Sequence, residues 1–197
     1  GDVSDWLNRG HTLEELQTLA EQAPSLAAAA STPVRRATAE EEGGAVDEAH
    51  LATFFQTDLG NSERLVARYG HDLRYCYDFG KWLVWDGVRW ALDRTGAALD
   101  HAKETARKML AEAATLADKE DSRKLAAWSF RSQARDRLMA MLYLAQPDVS
   151  VLPEQLDTYP WLLNVANGTI DLRTGQLRPA DRAHLLTKTS PITYDPH

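Results

Sequence analysis

The sequence predicts an α+β fold: antiparallel β-hairpins and a meander packed against two or three α-helices, behind an N-terminal appendage that is mostly disordered or helical. Three observations predict it. Two turn codes, Asp86-Gly87 and Asn167-Gly168, each divide a stretch of alternating apolar and polar residues, the pattern of a hairpin. Between them lie two stretches, from about 98 to 117 and from about 122 to 145, whose apolar side chains recur at helical spacing. Residues 24–46, PSLAAAASTPVRRATAEEEGGAV, follow neither period and read as an acidic, Ala-rich linker.

The chain therefore divides into 1–23, 24–46 and 47–197. In DVSDWLNRGHTLEELQTLAEQA, Thr12 and Glu15 form a capping box ahead of the stripe Leu13, Leu16, Leu19 and Ala20. The body starts near Asp47. Asn61 or Ser62 is expected to cap a short helix carrying Leu65, Val66 and Tyr69, with Gly70 as its stop. The Asp86-Gly87 turn sets Trp85 opposite Val88, Leu83 opposite Trp90 and Lys81 opposite Leu92. One face then carries Leu83, Trp85, Val88 and Trp90, and the other Trp82, Val84, Arg89 and Ala91, so the ribbon is expected to be covered on one side and partly wet on the other.

The next helix presents Leu99, Ala102, Ala106, Met109, Leu110, Ala113 and Ala117, supported by a Glu104–Lys108 pair. After the charged break ADKEDS, Phe130, Ala134, Leu138, Met141, Leu142 and Ala145 keep helical spacing until Pro147. One helix and two helices hinged near Ser129 fit this stretch equally. In WLLNVANGTIDLRTGQLRP, Asn167-Gly168 pairs Val165 with Ile170 and Leu163 with Leu172, and Thr174-Gly175 returns Leu177 beside Leu172. The apolar face of this meander is expected on the helices, with Asn164, Thr169, Asp171 and Arg178 opposite and an Asp171–Arg178 ion pair across strands. Leu186 to Tyr194 is expected to add a strand interrupted at Pro191.

Hydrophobic content of 44% and charged content of 26% are those of a globular protein. No apolar run reaches the roughly 20 residues of a membrane span. The single cysteine, Cys76, excludes an internal disulfide and predicts a reduced, cytoplasmic protein. Residues 1–48 hold three basic and ten acidic residues and so carry the whole net charge of −7. The body is balanced, which leaves room for a local basic patch. The chain opens at Gly1, which reads as an expression scar, and stops just after a strand-like ITY. That is the look of a piece cut from a longer protein.

Reaction chemistry is sparse. Gly80-Lys81 is the one Gly-Lys pair, and Tyr75 stands where a phosphate loop needs its first glycine. The six histidines are scattered, no CxxC occurs, and no DxD pair offers a two-metal site, so neither a metal nor a catalytic residue is expected in this piece. Cys76, in RYCYD, reads as a small apolar residue rather than a nucleophile. The most suggestive surface is a stripe of Lys124, Trp128, Arg131 and Arg135, within a segment 122–137 holding five basic residues and one acid, Asp136. Guanidinium and aromatic groups on one face suit phosphates and bases. The competing reading makes Trp128 a core residue with arginines lying over it. Lys81, Trp82 and Arg89 of the hairpin form a second candidate of the same kind.

Three blocks, TDLGNSERLVARYGHDLRYCYDFGKWLVWDGVRW (57–90), PWLLNVANGTIDLRTGQLRP (160–179) and LLTKTSPITYDP (185–196), occur together and in order. Over about residues 50–197 the chain resembles the poxvirus-type N-terminal-like domain that precedes a superfamily-three helicase motor in phage and plasmid primase–helicases. Residues 2–24 are similar, over a short span, to the end of a toprim-like primase domain. The resemblance implies a non-catalytic accessory domain between primase and motor, with single-stranded DNA and a downstream helicase domain as partners. ATP and Mg would belong to that motor, which assembles as a homo-oligomeric ring. It also implies that Trp82, Trp85, Trp90, Asn167 and Gly168 determine the fold. A different class remains beside it: a small stand-alone enzyme or binding module stacking Trp82, Trp85 and Trp90 on sugar rings.

Overall fold

The computed structural model describes residues 46–195. The helix capped by Thr12 and all but the last residue of the 24–46 linker lie outside the described residues. What is described is α+β: five α-helices and two antiparallel three-stranded sheets.

Asp47 caps a short helix α1, Glu48–Leu51, by accepting from the amides of Ala49 and His50. Helix α2 is Asp58–Tyr69. Its cap is Thr57, whose hydroxyl accepts from the Gly60 amide at 3.0 Å. The expected caps Asn61 and Ser62 lie inside the helix and are fully buried. Gly70 ends α2 as expected, its amide donating to the Val66 carbonyl.

Strands β1 (Leu73–Cys76), β2 (Lys81–Trp85) and β3 (Trp90–Leu92) form the first sheet in that order. Its register differs from expectation by two residues: Trp85 pairs with Trp90 and Leu83 with Leu92. Asp86 causes the shift. Its carboxylate accepts from the amides of Val88 and Arg89, at 3.0 and 2.9 Å, so the turn centres on Gly87-Val88. A slip of two residues leaves every side chain on its predicted face. Trp82 and Val84 therefore pack into the helical core, while Leu83, Trp85 and Trp90 join Cys76 and Val151 in a second cluster. Both faces are covered, not one. The three tryptophans are split between them, with Trp90 only 1% exposed, so they form no shared platform for a sugar.

Helix α3, Ala97–Thr115, is started by Asp93 rather than by a residue adjacent to it. One carboxylate oxygen accepts from Thr95, Gly96 and Ala97 at 3.1, 2.8 and 3.0 Å, and the other from Ala98 at 3.0 Å. Desolvation raises the Asp93 pKa, but these backbone donors outweigh it and hold the group below the ordinary carboxylate range. The folded pKa thus lies below the unfolded one, so the stabilisation is complete above the unfolded value and is lost as pH falls through the folded value. Asp93→Ala is expected to cost about 1–2 kcal/mol at neutral pH, since the cap is charge-assisted. In urea titrations the gap from wild type should narrow as pH is lowered below 4. A gap constant down to pH 2 would rule out an ionised cap.

Helices α4 (Lys119–Ser132) and α5 (Arg135–Ala145) resolve the open choice in favour of two, broken at Gln133-Ala134 rather than near Ser129. Core side chains come from all the long helices: Leu65 of α2, Ala102, Ala106 and Met109 of α3, Leu125 and Trp128 of α4, and Met141 of α5. Leu110, expected inward, is 41% exposed, and its place is taken by Glu112, which is fully buried. Glu112 meets Arg64 at 2.7 Å and Arg68 at 2.9 Å, and Arg68 also pairs with Glu48 of α1. The remaining Arg64 donors reach the carbonyls of Phe54, Phe55 and Gly60. One buried network therefore ties α1, α2 and α3 together.

Strands β4 (Leu162–Val165), β5 (Gly168–Asp171) and β6 (Gln176–Arg178) form the second sheet. Here too the register is displaced by two: Leu163 pairs with Ile170, Val165 with Gly168, and Ile170 with Leu177. Asn167 is spent on Tyr194, donating to its carbonyl and accepting from its amide, each at 3.0 Å. The expected packing of this meander on the helices is not found: the helical core cluster takes no side chain from it. Its polar face is buried along with the middle of its apolar one: Asn164, Thr169 and Asp171 are each 2% exposed, beside Val165 at 0% and Ile170 at 6%. Asn164 donates to the Val88 carbonyl of the first hairpin at 2.9 Å and accepts from Thr169 at 2.6 Å. In place of a last strand, 186–194 is irregular chain after a 3-10 turn at Arg182–His184, pinned by Ser190 N–H to Asn164 O and Ala166 N–H to Ile192 O.

Candidate nucleic-acid interface

Helix α4 lies against α3 through small polar residues. Ser122 and Ser129 donate to the carbonyls of Ala113 and Ala106 at 2.8 and 2.7 Å, which lets the two backbones approach. Trp128 then points inward and is 7% exposed. Its indole N–H donates to Asn61 Oδ1 at 2.8 Å, and Asn61 donates on to Ser132 at 3.0 Å. A tryptophan so held is a wedge between α2 and α4.

Two guanidinium groups lie over that ring: Arg137 at 4.4 Å from its centroid and Arg131 at 5.4 Å. Arg137 also pairs with Asp58 at 3.0 Å. Lys124 is bound to Glu120 at 2.8 Å and lies 3.4 Å from Asp121, and the hydrogen bond to Glu120 raises its pKa. Arg135 begins α5 beyond the break at Ala134, so the predicted stripe does not run along one helix. Arg123, Arg131 and Arg135 are exposed, and among the described residues none of them has a carboxylate partner. The structure thus brings Trp128 and Arg131 together, adds Arg137, and leaves Lys124 paired and Arg135 on the next helix.

The hairpin set is spread out. Lys81 is exposed at the start of β2, Trp82 is half-buried with its ring edge-on to Tyr75 at 5.2 Å, and Arg89 lies in the turn past the other end of β2. Arg89 reaches Asp86 at 3.4 Å and the Thr187 carbonyl at 3.2 Å.

A second basic and aromatic site escaped sequence reasoning. Trp161 and Tyr159, 55% and 47% exposed, stand beside Arg173, Arg178 and His184 around a groove of about 320 Å³. Asp171 anchors both arginines, at 3.1 and 2.8 Å, and its hydrogen bond to Arg173 holds its pKa below the ordinary range. The available signal was YPW followed by arginines on either side of the Thr174-Gly175 turn.

No group of three or more His, Cys, Asp or Glu side chains that could hold a metal occurs among the described residues. Cys76 is buried in the second cluster. Among the described residues, no helix is long and apolar enough to cross a membrane. No curated protein matches the chain. The family model described as D5 N terminal like matches residues 62–197, a span starting within α2 and covering all six strands and α3 to α5. The chain belongs to the D5 N-terminal-like family, the non-catalytic, poxvirus-type domain associated with the primase–helicases of DNA replication.

Proposed function

We propose that this domain couples the primase to the ATP-driven motor of a phage or plasmid-type primase–helicase and contacts single-stranded DNA as it does so. The observation that carries the DNA contact is the set of exposed guanidinium groups on α4 and at the start of α5, Arg123, Arg131 and Arg135, without carboxylate partners among the described residues. Unpaired cations on a rigid surface bind phosphates by releasing condensed counterions. The coupling role is supported by the build of the body. Its buried acids, Glu112 and Asp171, are neutralised by arginines and serve as struts rather than as proton donors or bases. ATP and Mg act in this reading at the motor, in a homo-oligomeric ring in the cytoplasm, and not at this domain.

The test is a titration of fluorescein-labelled oligothymidylate at low salt. The double reversal Arg131→Glu with Arg135→Glu is expected to weaken binding by about tenfold or more, since each phosphate contact adds to the salt-dependent affinity. Both residues are exposed, so the fold should persist, as checked by the thermal midpoint. Affinity unchanged by the double reversal would remove this face as the contact.

A further inference from the structure

We propose that the groove between Trp161 and Arg173 on the second sheet seats one nucleotide of a single DNA strand, its base stacked on Trp161 or Tyr159 and its phosphate held by Arg173 and Arg178. This deepens, and rests on, the reading that the domain contacts single-stranded DNA. It adds a site on β4–β6, separate in sequence and in element from the α4–α5 face.

Charge is the first argument. Of the residues lining the groove, Asp171 alone is acidic, and it is shared by two guanidinium groups, which leaves a surplus positive charge at the rim. The arginine side chains are 62% and 52% exposed, so Asp171 orients them without hiding them. Asp171 itself is held by the Arg173 amide at 3.0 Å, so the donors are fixed in place before a ligand arrives.

Shape and chemistry supply the second. Trp161 and Tyr159 are exposed on the chain leading into β4, where the Leu172 amide donates to the Trp161 carbonyl and the Leu162 amide to the Tyr159 carbonyl. The Tyr159 ring meets His184 edge-on, with centroids 5.1 Å apart, and the residue remains 47% exposed. His184 Nδ1 is shielded from solvent and has no hydrogen-bond partner among the described residues. Open rings beside guanidinium forks are the elements that hold single strands irrespective of sequence, the rings taking bases and the forks phosphates. The partner this fits is a flexible anionic strand whose bases are unstacked.

The experiment compares the whole 197-residue chain with three variants by anisotropy of labelled oligothymidylate and by tryptophan quenching. Trp161→Ala is expected to weaken binding roughly tenfold, with Trp161→Phe retaining most of the affinity because a ring remains. Arg173→Gln is expected to weaken binding several-fold and to lower the salt slope by about 0.7, one phosphate on a single strand. It leaves the Arg178–Asp171 bond at 2.8 Å to close the sheet. Unchanged affinity in both Trp161→Ala and Arg173→Gln overturns the proposal. If the Arg131/Arg135 double reversal alone abolishes binding, the groove fails while the α4–α5 contact stands. Thymidine monophosphate binding as tightly as the oligomer would also overturn it, since the groove would then be a free-nucleotide site. No binding by wild type would end the groove and the DNA contact together.

Discussion

Replacing Glu112 with leucine is expected to lower the unfolding free energy by about 3–5 kcal/mol, the cost of leaving buried charges without their partner. The carboxylate is fully buried and receives Arg64 at 2.7 Å and Arg68 at 2.9 Å. Without it, two guanidinium groups remain in the interior with one acid, Glu48, at the edge. Neither can retreat to water. Arg64 is fixed by donors to the Phe54, Phe55 and Gly60 carbonyls, and Arg68 is only 3% exposed. Removing Arg64 together with Glu112 should recover only part of the loss, because those carbonyls would be left unsatisfied. The check is a urea titration with an unchanged slope and a lowered midpoint. A loss below 1 kcal/mol would mean that the network contributes little to holding α1, α2 and α3 together.

Gly168→Ala is expected to cost about 2–4 kcal/mol, combining overpacking with backbone strain. A Cβ at this position would lie 2.3 Å from the Arg178 carbonyl, a backbone atom of β6 that cannot swing away. The φ angle of +148° is in addition one that L side chains rarely adopt. Either β6 moves off or β5 rotates, and both disturb the Asp171–Arg178 pair. Gly80→Ala makes a useful contrast: its φ is +59°, but no atom lies within 4 Å of the added carbon, so strain acts there without a clash. Comparable midpoints for the two variants would contradict the close approach of β5 and β6.

The helices were legible because their apolar residues recur at the helical period, as Ala102, Ala106, Met109 and Ala113 do. Strand faces were legible for the same reason, at a period of two. Registers were not: the first turn lies one residue further towards the C-terminus than expected, on Gly87-Val88, and the second one residue further towards the N-terminus, on Ala166-Asn167. Asp86 drops out of the turn centre because its carboxylate takes the amides of Val88 and Arg89, whereas Asn167 stays in the turn, behind Ala166, with its side chain held by distant Tyr194. A side chain's choice between local and distant partners is decided by tertiary structure. Glu112 was hidden because a charge inside an apolar stripe gives no sign of the two arginines, 48 and 44 residues away, that neutralise it.

The site was less legible than the fold. The sequence marks Lys124, Trp128, Arg131 and Arg135 as a stripe, but it cannot reveal that Asn61 draws Trp128 inward or that the helix breaks before Arg135. The groove on the second sheet collects its aromatics from the chain ahead of β4, its arginines from the β5–β6 turn and β6, and His184 from a 3-10 turn. No spacing rule links those positions.

In the role proposed above, the domain holds a single DNA strand for the catalytic parts of a primase–helicase. The most direct test of that role is the oligothymidylate affinity of the chain as a function of salt. Measurable binding at low salt is expected, with a log–log slope of roughly −2 to −3, as for three or four phosphates met by arginines. Undetectable binding at low salt, or an affinity that does not change with salt, would contradict it.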